Sequence, residues 1–121
     1  MKNSRVNKVL EGMMREGLSQ MIITSPASIF YLTGKWIHPG ERMIALYINK
    51  NGNHKMVINR LFPVYEDLGV EMIWYEDTEN PIDHLNKCID KNEILGIDKD
   101  WPARFLIQLI NSNAAKGFVN G

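Results

Sequence analysis

A layered α/β domain, with a largely parallel sheet and one inserted antiparallel hairpin, is the fold class this sequence predicts. Apolar runs rich in strand formers alternate with helical stretches along almost all of the 121 residues, an order that places helices over a parallel sheet. Two of those runs, Met43–Ile48 and His54–Asn59, are separated only by Asn-Lys-Asn-Gly-Asn, whose Asn and Gly residues tolerate positive φ and mark a hairpin. The composition, 45% apolar and 23% charged, is that of one soluble globular domain.

From Ser4 to Glu16, Val6, Val9, Leu10, Met13 and Met14 recur at helical spacing, with Ser4 as N-cap and Gly17 at the C-terminal glycine position. Met21–Thr24 is a short strand. Ser25-Pro26 then caps and opens a helix carrying Ile29, Phe30, Tyr31 and Leu32 and ending at Gly34. Lys35–Glu41 is a loop by its Pro-Gly pair. After the hairpin, Leu61–Leu68 reads as a short helix with Pro63 near its start, and Met72–Tyr75 as a strand. Asn80-Pro81 opens a helix with Asp83 in its first turn, where a carboxylate meets the positive end of the helix dipole; Ile82, Leu85 and Ile89 form its buried face. Glu93–Asp98 is a strand, and Asp100 caps a helix carrying Phe105, Leu106, Leu109 and Ile110. The last residues, Ala114–Gly121, restart an apolar run and halt without a completed element. Either a natural terminus or a domain cut from a longer polypeptide reads this way.

Fourteen basic and fourteen acidic residues give zero net charge with a pI near 6.8, without the basic footprint of a nucleic-acid binder. Residues 1–60 hold nine Lys/Arg and three Asp/Glu, residues 61–121 five and eleven, so the halves carry +6 and −6. Interleaving of the two halves in space makes the surface mixed; segregation makes it dipolar. The longest apolar run, Met43–Ile48, falls far short of the roughly 20 residues of a membrane span. The N-terminus lacks the apolar core of a signal peptide, and the lone Cys88 suits a reducing compartment. A cytoplasmic protein is expected.

Neither standard phosphate loop, nor a Gly-x-Ser-x-Gly elbow, nor His-Glu-x-x-His is present. His84 and Cys88, four apart on one helix, share a side, yet Cys88 adjoins the stripe of Leu85 and Ile89 and reads as a small hydrophobe. Carboxylates cluster at Glu76–Glu79 and at Asp98-Lys99-Asp100, after strands, where α/β proteins place ligands; capping and solvated loops explain them without any function, and that reading is preferred. The loop Lys35-Trp36-Ile37-His38-Pro39-Gly40-Glu41-Arg42 joins an aromatic, an imidazole and a guanidinium. It either binds something or folds back on its own domain.

Thr24-Ser25-Pro26-Ala27-Ser28-Ile29-Phe30-Tyr31-Leu32-Thr33-Gly34, followed by Pro39-Gly40-Glu41-Arg42, resembles the N-terminal domain of the creatinase/prolidase family, the Xaa-Pro dipeptidases and aminopeptidases. Leu10, Met13 and Gly17 before it, and Tyr75-Glu76-Asp77 and Leu95-Gly96-Ile97-Asp98 after it, fall where similar members carry comparable segments. Ser28 stands where many members have Asn, and Lys35-Trp36 replaces a commoner aromatic or small residue; these departures bear on subfamily. The resemblance implies a three-layer α/β domain spanning residues 1–121, belonging to a longer two-domain metallopeptidase. There a C-terminal domain holds two divalent ions (Mn, Co or Zn) through two Asp, one His and two Glu, none of which lies in these residues. It also implies a homodimer, a proline-containing dipeptide or peptide substrate, and an N-terminal domain that reaches the neighbouring subunit's active site. On that reading Arg42 contacts the substrate's carboxylate in trans, or else pairs with Glu41 or another acidic side chain, while His38 hydrogen-bonds substrate and Trp36 walls the site. A free-standing α/β ligand-binding or dimerisation module is the alternative.

Overall fold

The computed structural model describes residues 1–98 and 100–121. Along them run α1 (Asn3–Arg15), β1 (Gln20–Ile23), α2 (Pro26–Thr33), β2 (Ala45–Asn49), β3 (Lys55–Asn59), β4 (Glu71–Tyr75), α3 (Pro81–Asn86), β5 (Ile94–Ile97), α4 (Ala103–Asn111) and β6 (Gly117–Asn120). The six strands form one sheet in the order β4-β3-β2-β1-β5-β6. β2 is antiparallel to β1 and β3, and the β3–β4, β1–β5 and β5–β6 pairs are parallel, so β2 alone runs against the rest. This is the mixed sheet with one hairpin.

Side chains alternate across a strand, and here the alternation divides the interior in two. Ile23, Leu46, Ile48, Met56 and Ile58 pack with Val6 and Met13 of α1 and with Ile29 and Leu32 of α2. Ile22, Ala45, Tyr47 and Val57 face the opposite side, with Ile82 and Leu85 of α3 and Phe105 and Leu109 of α4. The result is three layers. α2 follows its sequence signals closely: the Ser25 hydroxyl accepts from the Ser28 N–H at 3.2 Å, and Gly34 closes the helix at φ +81, in the region only glycine enters freely.

Four local expectations are corrected. Ser4 does not cap α1; Lys2 holds that position without a side-chain bond. The chain start is fixed by tertiary contacts instead, with the Met1 ammonium donating to the Leu68 carbonyl at 2.6 Å and the Lys2 N–H to Leu32 at 2.8 Å. Residues 61–68 form no helix. Phe62, Val64 and Leu68 are buried against the α1/α2 face, and the Asn59 Oδ1 and Phe62 carbonyl accept from Leu61 and Val64, so a strap of tight turns satisfies the backbone. Asp100 does not cap α4, which starts after Pro102. A residue preceding proline is disfavoured in helical geometry, so the helix starts after Pro102 and Asp100 lies too early; its carbonyl accepts from Thr24 Oγ1 at 3.1 Å. The final apolar run completes an element after all, pairing as edge strand β6 with Ile94↔Gly117 through Ile97↔Asn120.

The charge halves interleave. Lys35–Glu66, Arg42–Asp77, Lys55–Glu71 and Arg60–Glu76 each join a cation of the first half to a carboxylate of the second. Among the described residues no helix is long and apolar enough to cross a membrane.

Candidate functional site

From β1 the chain first builds β2, β3 and β4 on one flank, then crosses to build β5 and β6 on the other. Such a switch leaves a crevice outside the carboxyl ends of the two strands, the customary ligand position in open α/β sheets. Here the chain places its own carboxylate in it, beside a cavity of about 380 Å³ lined by Ile23, Ser25, Ser28 and Asp98. Asp98, leaving β5, accepts from the backbone N–H of Thr24 (2.9 Å) and Ser25 (3.0 Å) and from the Thr24 hydroxyl (2.5 Å). The anion-seeking start of α2 is thereby satisfied internally, and Thr24-Ser25-Pro26 serves as a lock between β1 and β5. Lys99, the middle residue of the second acidic cluster, lies outside the described residues.

Beside this lock, the loop 35–42 divides its side chains between core and solvent. Ile37 is buried in the α1/α2 face, which fixes the loop by ordinary packing. Trp36 is 45% exposed and His38 is exposed; the Trp36 Nε1–H donates to His38 Nδ1 at 3.3 Å. Phe30 meets the Trp36 ring edge-on at 5.8 Å, and Arg5 lies 4.7 Å over the Tyr31 ring. The loop ends are tied to the body by Lys35–Glu66 (3.3 Å) and by Arg104 Nη2, which donates to the Glu41 carbonyl at 2.5 Å. Phe30, Tyr31 and Trp36 therefore present aromatic surface from a rigid base.

Arg42 is also held. Its Nε and Nη2 donate to Asp77 Oδ1 (3.0 Å) and Oδ2 (2.8 Å) in a side-on fork. Asp77 Oδ1 accepts in addition from Nδ2 of the fully buried Asn59 at 2.7 Å. The Arg42 fork and then the Asn59 amide hold the Asp77 carboxyl down to about 2, so the pair stays ionised at physiological pH. Of the expected acidic partners, Glu41 or another side chain, Arg42 takes Asp77. A guanidinium has five N–H donors, and Asp77 uses only the side-on pair, leaving the end-on pair of Nη1 and Nη2 for another acceptor. Asp77 belongs to the carboxylate cluster Glu76–Glu79 that the sequence marks, whereas Asn59 carries no sequence signal.

The other chemistry-bearing residues do not converge. His84 Nε2 lies 3.1 Å from Glu79 Oε2, and the Cys88 thiol donates weakly to the His84 carbonyl at 3.6 Å. Cys88 packs on the α3/α4 face, where burial raises its pKa. His54 is at the far end of the sheet, accepting from the Asn49 N–H at 3.2 Å, with its pKa lowered by burial. Among the described residues no three His, Cys, Asp or Glu side chains gather as a metal site requires.

The creatinase/prolidase N-terminal domain family matches residues 5–120. The chain belongs to this family. An uncharacterized peptidase of Staphylococcus haemolyticus is 33% identical over 104 residues, covering 79% of this chain and 29% of that protein. An uncharacterized peptidase of Staphylococcus aureus is 27% identical over 93 residues, covering 73% and 26%. The chain thus spans less than a third of the length of the curated relatives it matches. In three dimensions it resembles the creatinase/prolidase N-terminal domain of an X-Pro dipeptidase from Streptococcus pyogenes (TM-score 0.79, 19% identity, 98% of this chain and 94% of that one). A prolidase from Thermococcus sibiricus superposes with TM-score 0.83 at 19% identity, covering 99% of this chain and 34% of that one. At such identities the likeness establishes the creatinase/prolidase N-terminal fold.

Proposed function

We propose that this creatinase/prolidase N-terminal domain is the non-catalytic part of a cytoplasmic, metal-dependent Xaa-Pro dipeptidase or aminopeptidase, where it supports dimerisation and caps the active site of the neighbouring subunit. The observation that carries this reading is Arg42: clamped side-on by Asp77, it still offers an end-on fork, the geometry that receives a substrate carboxylate. Trp36 and His38 stand exposed on the same loop, supplying a wall and a hydrogen-bonding group for a proline-containing peptide. Among the described residues no donor set fits a pair of divalent ions; the proposed reading assigns Mn, Co or Zn to a C-terminal domain of a longer protein, and no step is assigned to a metal here.

The test uses the whole enzyme. Arg42→Ala should lower kcat/KM on a proline dipeptide about ten- to a hundredfold while barely changing stability, since both partners of the Arg42–Asp77 pair are exposed. Mixing Arg42→Ala subunits with subunits lacking one metal ligand restores activity only if the loop acts across the dimer. Wild-type kinetics in the single mutant would falsify the role of Arg42. Metal-dependent turnover by residues 1–121 alone would overturn the accessory-domain reading.

A further inference from the structure

The two edges of the sheet are finished differently. β4 carries Glu71, ion-paired with Lys55 at 3.8 Å, and its Met72 and Trp74 pack into the α1/α2 face; an edge charge of this kind guards against further strand pairing. β6, at the other edge, is uncharged from Gly117 to Gly121. The Gly121 N–H donates to the Ile97 carbonyl at 2.9 Å. Because the backbone groups of successive residues in a strand point to opposite neighbours, Gly117 and Val119 face β5 as well, while Phe118 and Asn120 turn their N–H and C=O groups outward. Apolar side chains border this edge on both faces of the sheet. On one face Val119, 42% exposed, stands with exposed Ile94, between Gly117 and Gly121, which add no side chain. Over the other face, Gln108 of α4 is bonded to Asn80 at the start of α3 (3.1 Å), so Leu106 and Ile110, on the opposite flank of the helix, lean toward β6. Leu106 shares a cavity of about 280 Å³ with Trp101 and Phe118, and Ile110 is 48% exposed.

We infer that β6 is a pairing edge for a second copy of this chain, the two β6 strands running antiparallel about a two-fold axis at Val119 and joining the two sheets into one. A two-fold contact sets the same patch against itself, and these residues fit themselves. With the axis at Val119, Phe118 of each copy meets Asn120 of the other, so every outward N–H of the two strands finds an outward carbonyl. The two Val119 side chains then oppose each other at a non-hydrogen-bonded position, where facing side chains come closest. Each Gly117 faces a Gly121, which leaves room for them. Lys116, exposed just before β6, is carried past Gly121 of the second copy toward the end of the sheet that holds Asp98 and Asp100, so opposite charges meet once on each side of the axis. Leu106 and Ile110 of both copies border the seam and lose water there. This deepens the function proposed above: it rests on that reading for the existence of a dimer, to which it gives a surface, and not for the role of the loop.

Val119→Cys in a Cys88→Ala background should give a disulfide-linked dimer under mild oxidation, because the axis sets identical positions side by side. Glu71→Cys in the same background, on the other edge, should not. In sedimentation equilibrium the wild-type chain should dimerise with a dissociation constant on the order of ten micromolar. Asn120→Pro removes an outward N–H and no bond to β5, so it should weaken the dimer about tenfold or more while the thermal midpoint stays near that of the wild type. Ile110→Glu, at an exposed position, should do the same from the helix side. No cross-link through Val119, or wild-type association in both Asn120→Pro and Ile110→Glu, overturns the inference. So does a full-length protein in which Val119→Cys fails to cross-link although residues 1–121 do, because the remainder of the polypeptide then covers the edge. In the full-length protein the two readings separate. A dimer that survives Asn120→Pro, with kcat/KM lowered by Arg42→Ala, keeps the proposed function and removes β6 from it; dissociation by Asn120→Pro, with wild-type kinetics in Arg42→Ala, keeps this interface and sinks the role of the loop.

Discussion

The two ends of the sheet treat polar groups in opposite ways. At the amino end of β1, the fully buried Gln20 uses all its capacity: its Nε2 donates to the Asp90 and Glu93 carbonyls (2.9 and 3.3 Å), and its Oε1 accepts from the Tyr47 hydroxyl (2.7 Å) and the Asp90 N–H (2.9 Å). Tyr47 in turn accepts from Asn49 at 2.9 Å. At the carboxyl end, Asp98 ties β5 to the start of α2, but Arg42 and Trp101 retain donors that meet no acceptor among the described residues. A satisfied network rigidifies and is chemically silent; surplus donors on a rigid frame are available for recognition.

Breaking the closed end should have the largest effect. Gln20→Leu strands the Tyr47 hydroxyl and the Asp90 N–H in the interior and is expected to cost on the order of 3 kcal/mol of unfolding free energy; a loss below about 1 kcal/mol in urea titration would mean the network relaxes and the contrast between the ends is weaker than drawn. Asp98→Ala, which releases three donors of a partly buried lock, should cost about 2 kcal/mol and speed hydrogen exchange selectively in α2. A destabilisation with uniform exchange would instead make Asp98 an ordinary surface carboxylate.

These contrasts were unevenly visible in the sequence. α2 was legible residue by residue, because a cap, a proline and a terminal glycine act through local backbone chemistry. The strap at 61–68 was not, since helical spacing and burial disagree there: Phe62 and Val64 go inward two residues apart while Tyr65 between Val64 and Leu68 is almost wholly exposed. Arg42 was recognised as important, but its partner lies 35 residues away, brought close by the β3–β4 register that sets Asn59 beside Tyr75. Trp101 carried one overlooked sign, its position before a proline, which displaced the start of α4 to Ala103.

Two smaller effects sharpen the picture of the open end. Because the folded-state Asp77 carboxyl lies near 2, below the 3.8 of an ordinary aspartate, its contribution to stability is complete above pH about 4 and fades as pH falls through 2. Carboxyl-carbon NMR should show that midpoint, and Arg42→Gln should raise it toward the ordinary value; an unchanged midpoint would show that Asn59 alone holds the charge. Glu79→Gln, which removes the partner of His84 on an exposed helix start, should leave the denaturant midpoint where it is, and a clear decrease would give this pair a structural weight that its exposure denies.

The single reversed strand also orders the assembly in time. Ile22 of β1 pairs with Tyr47 on one flank and with Ile97 on the other, so the first contact closes a loop of 25 residues and the second one of 75. Closure entropy alone separates them by about 1 kcal/mol, and the β1–β2–β3 meander, built from neighbours, should form ahead of the β5–β6 half. Arg42 belongs to the early half and Trp101 to the late one. The cleft of about 100 Å³ that Gly40 and Arg42 share with Trp101 and Phe105 therefore exists only once the last two strands have docked, and any excursion that lifts β5 and β6 from β1 dismantles it.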